Sequence, residues 1–283
     1  MPEPRLLFVH PHPDDESIAC GGTMARYRDE GAQVHVVTCT GGEAGDNLSG
    51  IDLSGRDFAQ VRRDEVQAAA IILGLTSHRF LGYRDSGMAG TPANEHPDAF
   101  VRAVLDEAAC RLAATIRELR PDVVVSDDEK GTYGHPDHVR AHEVTRRAVA
   151  LAADVAAAVP GDPWDVPRHL VITYSRERLF RMHLSLLEAG LASPFGDDAV
   201  AGPDDMAFGS SEERVAFRVD VQPWLDVKQE AMAAHASQIA ADSFFLNTPP
   251  DQARLGFGTE EFELVSGQPA PVQPSDDILA GLR

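Results

Sequence analysis

His10-Pro11-His12-Pro13-Asp14-Asp15-Glu16 follows directly on the apolar run Leu6-Leu7-Phe8-Val9. The run reads as a short buried strand, and Ser17 to Glu30, with apolar residues at helical spacing and a stop at Gly31, reads as the helix after it. Two imidazoles and three carboxylates therefore fall on the turn at a strand's carboxyl end, where open α/β sheets bind ligands. Neutral imidazole with carboxylate is the donor chemistry of a catalytic zinc or a similar divalent ion. A solvated surface turn has little use for that density of acid and imidazole.

A second segment repeats the arrangement. Pro121-Asp122-Val123-Val124-Val125-Ser126 reads as another buried strand and runs into Asp127-Asp128-Glu129-Lys130-Gly131-Thr132-Tyr133-Gly134-His135-Pro136-Asp137-His138. If both strands belong to one parallel sheet, their ends converge. His12, Asp15 and His138 then supply three ligands to one metal and leave a fourth position for water. His142 stands one helical turn after His138 and is a rival ligand, since two histidines four apart on a helix can chelate zinc. The same donors accept iron(II) or cobalt.

Strand and helix signals alternate around these loops. Val34 to Thr38 is a β-branched strand, Gly41 to Arg56 a polar loop, Phe58 to Leu73 a helix closed by Gly74, and His78 to Leu81 a short strand. Ala99 to Leu119 and His138 to Ala153 read as helices, His169 to Tyr174 as a strand and Glu177 to Ala189 as a helix. Val215 to Val219 and Trp224 to Ala236 are the last clear strand and helix. The alternation predicts an α/β fold, a Rossmann-like, mostly parallel sheet with helices on both faces. A smaller irregular C-terminal part follows it. Residues 1–153 would form the core that carries both metal loops, and 154–283 would complete the sheet and the substrate cleft within one compact domain. No G-x-G-x-x-G follows the first strand, so dinucleotide binding is rejected. The tail beyond Ser266, with three prolines, reads as extended surface chain or a flexible end.

Composition narrows the partners. A formal charge of −20 argues against nucleic acid, which needs clustered Lys and Arg, and against an anionic membrane surface. No apolar stretch approaches the length that spans a bilayer. Three cysteines, Cys20, Cys39 and Cys110, form no spaced framework and point to reduced thiols in the cytoplasm. The oligomeric state is left open, a homo-oligomer included.

His12-Pro13-Asp14-Asp15-Glu16 with Tyr133-Gly134-His135-Pro136-Asp137-His138 resembles the PIG-L/LmbE family of zinc-dependent N-deacetylases. Arg84 to Gly90 and Ala234-His235-Ala236-Ser237-Gln238 extend the likeness over nearly the whole chain. The resemblance implies His12, Asp15 and His138 as ligands of one Zn2+ and Asp14 as the general base, against an ordinary alternative of Asp14 as a helix N-cap. It implies that His135 stabilises the tetrahedral oxyanion or protonates the departing amine, and that Tyr133 is a mobile group on the same oxygen. Arg62, Asp85 and Asp46 align with contacts to sugar or inositol hydroxyls, although Arg62 sits in a charged helical run and can pair locally.

The implied substrate is a small amino sugar that loses an N-acyl group, acetyl above all, as in N-acetylglucosaminyl-inositol. The alternative is the family's mycothiol S-conjugate amidase or a deacetylase of another N-acetylglucosamine conjugate. Ala19 replaces an amidase lysine and Tyr133-Gly134-His135 follows the deacetylase pattern, while Gly258 to Leu264 and Asn47 to Arg56 look more like the amidase. A non-catalytic sugar binder on the same fold would have lost the base or a ligand, and this chain keeps all four positions.

Overall fold

The structure is a computed structural model that describes residues 3–196 and 200–282. Its core is one seven-stranded sheet. The first strands and helices are β1 (Arg5–His10), α1 (Asp15–Asp29), β2 (Gln33–Thr40), α2 (Phe58–Leu73) and β3 (Ser77–Tyr83). They are followed by α3 (Leu105–Leu119), β4 (Val123–Ser126), α4 (Pro136–Ala153), β5 (Arg168–Thr173) and α5 (Arg176–Glu188). The C-terminal part adds β6 (Phe217–Asp220), α6 (Leu225–Ala234), α7 (Phe244–Asn247), α8 (Pro250–Phe257) and β7 (Thr259–Gly267).

The strand order is β3-β2-β1-β4-β5-β7-β6. The first five strands are parallel, while β7 runs antiparallel to both β5 and β6. β1 and β4 lie at the centre and are covered on both faces, which is why they read as continuous apolar runs. Successive side chains feed opposite layers. Leu6 and Phe8 pack with Met24, Tyr27 and Leu73 under α1 and α2, and Leu7 and Val9 pack with Leu112, Ile116 and Val144 under α3 and α4. The pairing of β1 with β4 brings the two loops that follow them side by side.

Three local expectations are corrected. The helix expected over Ala99–Leu119 begins at Leu105, because Ala103 and Val104 are extended. Phe100, fully buried, donates its N–H to the Arg84 carbonyl, and that tertiary tie overrides helix propensity. β7 was missed altogether. Its Glu260, Glu261 and Glu263 are poor strand formers by type, yet each is buried against a cation: Lys228 for the first, Arg178 and Arg218 for the second, Arg214 for the third. The tail beyond Ser266 is not loose surface chain. Arg168 donates to the carbonyls of Gln268, Ile278 and Ala280, and the Tyr27 hydroxyl donates to Asp277 and accepts the Ile278 N–H. Among the described residues no helix is long and apolar enough to cross a membrane.

Candidate metal centre and active site

The turn after β1 is strained around one carboxylate. Asp14 has φ 120° and ψ −32°, a left-handed region that favours glycine and costs about 1–3 kcal/mol for other residues. Asp14 occupies the N-cap position of α1, its carbonyl accepting the Ile18 N–H, but its side chain makes no capping hydrogen bond. Two buried groups hold it instead. Glu16 Oε2 accepts the Asp14 N–H at 3.0 Å, and Arg62 Nη2 donates to Asp14 Oδ2 at 3.1 Å. Glu16 is itself fully buried with His235, Oε1 to Nε2 2.7 Å, and accepts from Ser17 Oγ at 2.6 Å. Glu16 and His235 were not singled out by sequence reasoning. The signal was their placement, one beside the acidic pair and one in the distant Ala234–Gln238 segment.

The turn folds Asp15 back over His12: Asp15 Oδ2 accepts the His12 backbone N–H at 2.9 Å and stands 3.3 Å from His12 Nδ1. From the β4 side, α4 presents His138, whose Nδ1 lies 2.6 Å from Asp127 Oδ1. A carboxylate there keeps the proton on Nδ1 and leaves Nε2 as a bare lone pair. That Nε2 is buried, has no hydrogen-bond partner among the described residues, and lies 3.5 Å from Asp15 Oδ1. His12 is poised in the mirror sense, with Nε2 3.2 Å from Asp137 Oδ2 and Nδ1 turned to Asp15.

Donor atoms about 2.0–2.2 Å from a tetrahedral ion stand roughly 3.3–3.5 Å apart. The two separations to Asp15, one from each of its oxygens, have that size, so His12, Asp15 and His138 could hold one divalent cation. Among the described residues, the triads whose donor atoms all lie within 4.8 Å of one another are two different ones, His12 with His135 and His138, and His12 with Asp85 and Asp137. Most of their donor atoms are engaged, and Asp137 Oδ1 is the exception, buried without a partner among the described residues. His135 Nδ1 accepts the Asp137 N–H at 3.1 Å, Asp85 accepts the Ala44 and Gly87 N–H groups, and Asp137 Oδ2 accepts that of Ser86. His142, the rival ligand, faces the Asp127 carbonyl at 3.0 Å and lines a different cavity. His10 is fully buried beside Phe8.

Ionisation follows the same geometry. Burial alone would pull His12 down, but Asp137, Asp15 and Asp85 outweigh it and hold the imidazole well above the ordinary histidine value. His138 is raised against its burial by Asp15 and Asp127. Burial would push Asp15 up, and the charges of His138 and His12 instead hold it far below the usual carboxylate range. The centre is thus built to stabilise positive charge. Asp14 goes the other way: burial, with Asp15's charge adding and Arg62's opposing, raises it to about 6. Burial, with His12 and His138 nearby, lowers His135 to about 4. A neutral His135 whose Nδ1 accepts a backbone N–H carries its proton on Nε2, as a hydrogen-bond donor.

These groups open on a cavity of about 640 Å³ that also reaches Asp46, Arg62, Asp85, Tyr133 and Gln238. Tyr133 is 60% exposed at the mouth, its ring 5.4 Å from that of His138 and 6.1 Å from that of His135. Asp46 is exposed, and its main-chain carbonyl is anchored by Gln238. Asp85 is buried and spends both oxygens on the Ala44 and Gly87 N–H groups, tying two loops to the site. Arg62 does not pair locally. It donates to Gly42 and Pro13 carbonyls as well as to Asp14, and it lies so close to Gly42, at φ 69°, that a Cβ there would meet its guanidinium at 2.2 Å.

Residues 7–149, which contain both metal loops, match the PIG-L family, described as GlcNAc-PI de-N-acetylase. The chain belongs to the PIG-L family. Curated relatives extend the likeness beyond the matched segment. The chain is 44% identical to the 1D-myo-inositol 2-acetamido-2-deoxy-alpha-D-glucopyranoside deacetylase of Geodermatophilus obscurus, over 99% of each chain. It is 42% identical to the protein of the same name from Thermobispora bispora, over 96% of this chain and 91% of that one. Among solved structures, a conserved protein from Thermus thermophilus superimposes with a TM-score of 0.59 at 27% identity, covering 95% of this chain and 97% of that one. PIG-L membership and the α/β architecture therefore stand on independent likenesses of sequence and structure.

Proposed function

We propose that this chain is a metal-dependent N-deacetylase that hydrolyses the acetamide of an N-acetylglucosamine substrate, N-acetylglucosaminyl-inositol above all, with Zn2+ as its metal. The observation that carries the reading is the pair of imidazole lone pairs, His12 Nδ1 and His138 Nε2, turned on Asp15 at 3.3 and 3.5 Å beside a buried, strained Asp14. His12, Asp15 and His138 would hold the ion. When bound, it supplies Lewis acidity and brings the acidity of a bound water to near neutral. Iron(II) or cobalt would suit the same donors.

The chain's own residues do the rest. Asp14, with a pKa raised to about 6, is ionised at neutral pH and accepts the proton of the attacking water. Water adds to the amide carbon, and the His135 Nε2–H hydrogen-bonds the oxygen on which negative charge develops. Asp14 then gives its proton to the departing nitrogen, the C–N bond breaks, and acetate and the free amine leave. Tyr133 at the mouth adds a second hydrogen bond to that oxygen. Asp46 holds sugar or polyol hydroxyls, Asp85 fixes the loops that frame them, and Arg62 keeps Asp14 in place while facing the same end of the cavity.

Residues 1–153 supply the reacting groups, and 154–283 complete the cleft. Cys20, Cys39 and Cys110 are free thiols, which suits a reducing, cytoplasmic setting. The deacetylase reading is favoured over the conjugate amidase by the relatives' names and by Ala19 in the cavity wall. Its test is kcat/KM for N-acetylglucosaminyl-inositol against an S-conjugated N-acetylcysteinyl counterpart. A preference for the acetylated disaccharide supports the reading, and a preference for the conjugate overturns it.

A further inference from the structure

The metal centre divides the cavity into two chemically different halves. Asp46, Arg62 and Asp85 come from the loops and helix around β2 and β3, on one side of the β1 and β4 loops. On the other side stand β5 and β7, and from there Ile172, Tyr174, Leu179, Met182, Phe245 and Phe257 line the same cavity. The aromatic rings are packed into one wall: Tyr174 and Phe208 are 5.7 Å apart, and Phe245 and Phe257 6.0 Å. None of the described residues on this wall carries a charge.

A polyol would lose its hydration there without gaining hydrogen bonds, so the sugar belongs in the polar half. A secondary amide is trans, which sets its acyl carbon chain opposite its nitrogen substituent. With the amide at the metal centre and the sugar on the polar side, the acyl group points at the apolar wall. An acetyl methyl covers little of it.

We propose that this wall is an acyl pocket, and that the enzyme hydrolyses N-acylglucosamines bearing an apolar chain or ring larger than acetyl as well as the acetamide. The inference rests on the amidohydrolase reading above and extends its substrate class. The reaction balances as before: water enters, the C–N bond breaks, the longer carboxylate and the amine leave.

The test compares N-acetyl-, N-hexanoyl- and N-octanoylglucosamine on the zinc-loaded full chain, with the released amine as readout. Each buried methylene is worth about threefold to fourfold, and ordering the chain costs part of that, so hexanoyl should at least match acetyl in kcat/KM. In Met182→Glu that hexanoyl-to-acetyl ratio should fall by at least about threefold, and a ratio is insensitive to loss of folded protein. If that variant does not fold, Phe208→Ser on the half-buried ring gives the same reading. A wild-type ratio below one overturns the proposal while leaving the deacetylase reading in place. Faster turnover of octyl N-acetylglucosaminide than of N-octanoylglucosamine overturns it too, by assigning the wall to the aglycone. Turnover of none of the amides overturns both.

Discussion

Asp127→Ala removes a group that touches neither substrate nor, in this account, the ion, and its effect should nonetheless appear first in metal affinity. Asp127 Oδ1 lies 2.6 Å from His138 Nδ1, and both side chains are buried. The carboxylate fixes the ring's orientation, keeps the proton on Nδ1 and raises the basicity of Nε2. Loss of such a partner typically weakens metal binding 10–100-fold, which is about 1.4–2.8 kcal/mol. Asp127→Asn should be as damaging, since its amide N–H can donate to Nδ1 and drive the proton onto Nε2, the wrong tautomer for a ligand. Zinc titration against a competing chelator measures the dissociation constant directly, without reference to turnover. His142→Ala is the control, because His142 faces only the Asp127 carbonyl and should leave the constant within about threefold. An Asp127→Ala constant equal to wild type, or a larger loss in His142→Ala, would rule out Asp127 as the group that orients a metal-ligating His138.

Other outcomes follow from the same site. Asp14→Asn should keep one metal per chain by elemental analysis but lower kcat by about a hundredfold or more; a loss confined to KM would move Asp14 from proton transfer to binding. Asp46→Ala should raise KM for the glycosyl-inositol about fivefold with kcat nearly unchanged, since its exposed carboxylate makes a charged hydrogen bond worth about 1 kcal/mol after solvent screening; unchanged steady-state constants would remove it from the polyol site. His169, buried on β5 and held near a pKa of 3 by burial with His142 and Arg146 nearby, gives an acid-side signature. Its folded pKa is below the unfolded value, so it costs nothing above about pH 6.5 and destabilises increasingly as pH falls from there toward 3. The cost at pH 5 is about 2 kcal/mol. Denaturant unfolding of His169→Gln should show that much less loss between pH 7 and pH 5 than wild type, and parallel curves would discount the shift.

What could be read from the sequence was whatever short-range pattern determines. The β1 and β4 runs and their loops announce themselves because central parallel strands are apolar throughout and because histidine and carboxylate seldom cluster without chemistry. α2 was legible to the residue, with Gly74 in the left-handed conformation at its C-cap. What escaped depends on distant partners. Glu260, Glu261 and Glu263 form a buried strand with four cations brought to them from α5, α6, β6 and the segment before β6, and the prolines of the tail hide a segment that Arg168 and Tyr27 bind down. At the site, Asp14 does stand at the N-cap position of α1, but its side chain turns to Arg62 rather than to the helix N–H groups. The partners that hold Asp14, Glu16 with His235 and Arg62, are brought together only by the fold.

The proposed mechanism needs one cation held by His12, Asp15 and His138. The measurement closest to it is acetate release from N-acetylglucosaminyl-inositol as zinc is titrated into chelator-stripped protein. Negligible rate is expected without metal, then a linear rise with a break at one ion per chain, and one free amine for each acetate. A stripped chain that keeps its full rate, or a His138→Ala variant that titrates to the same rate and the same break, would contradict that mechanism.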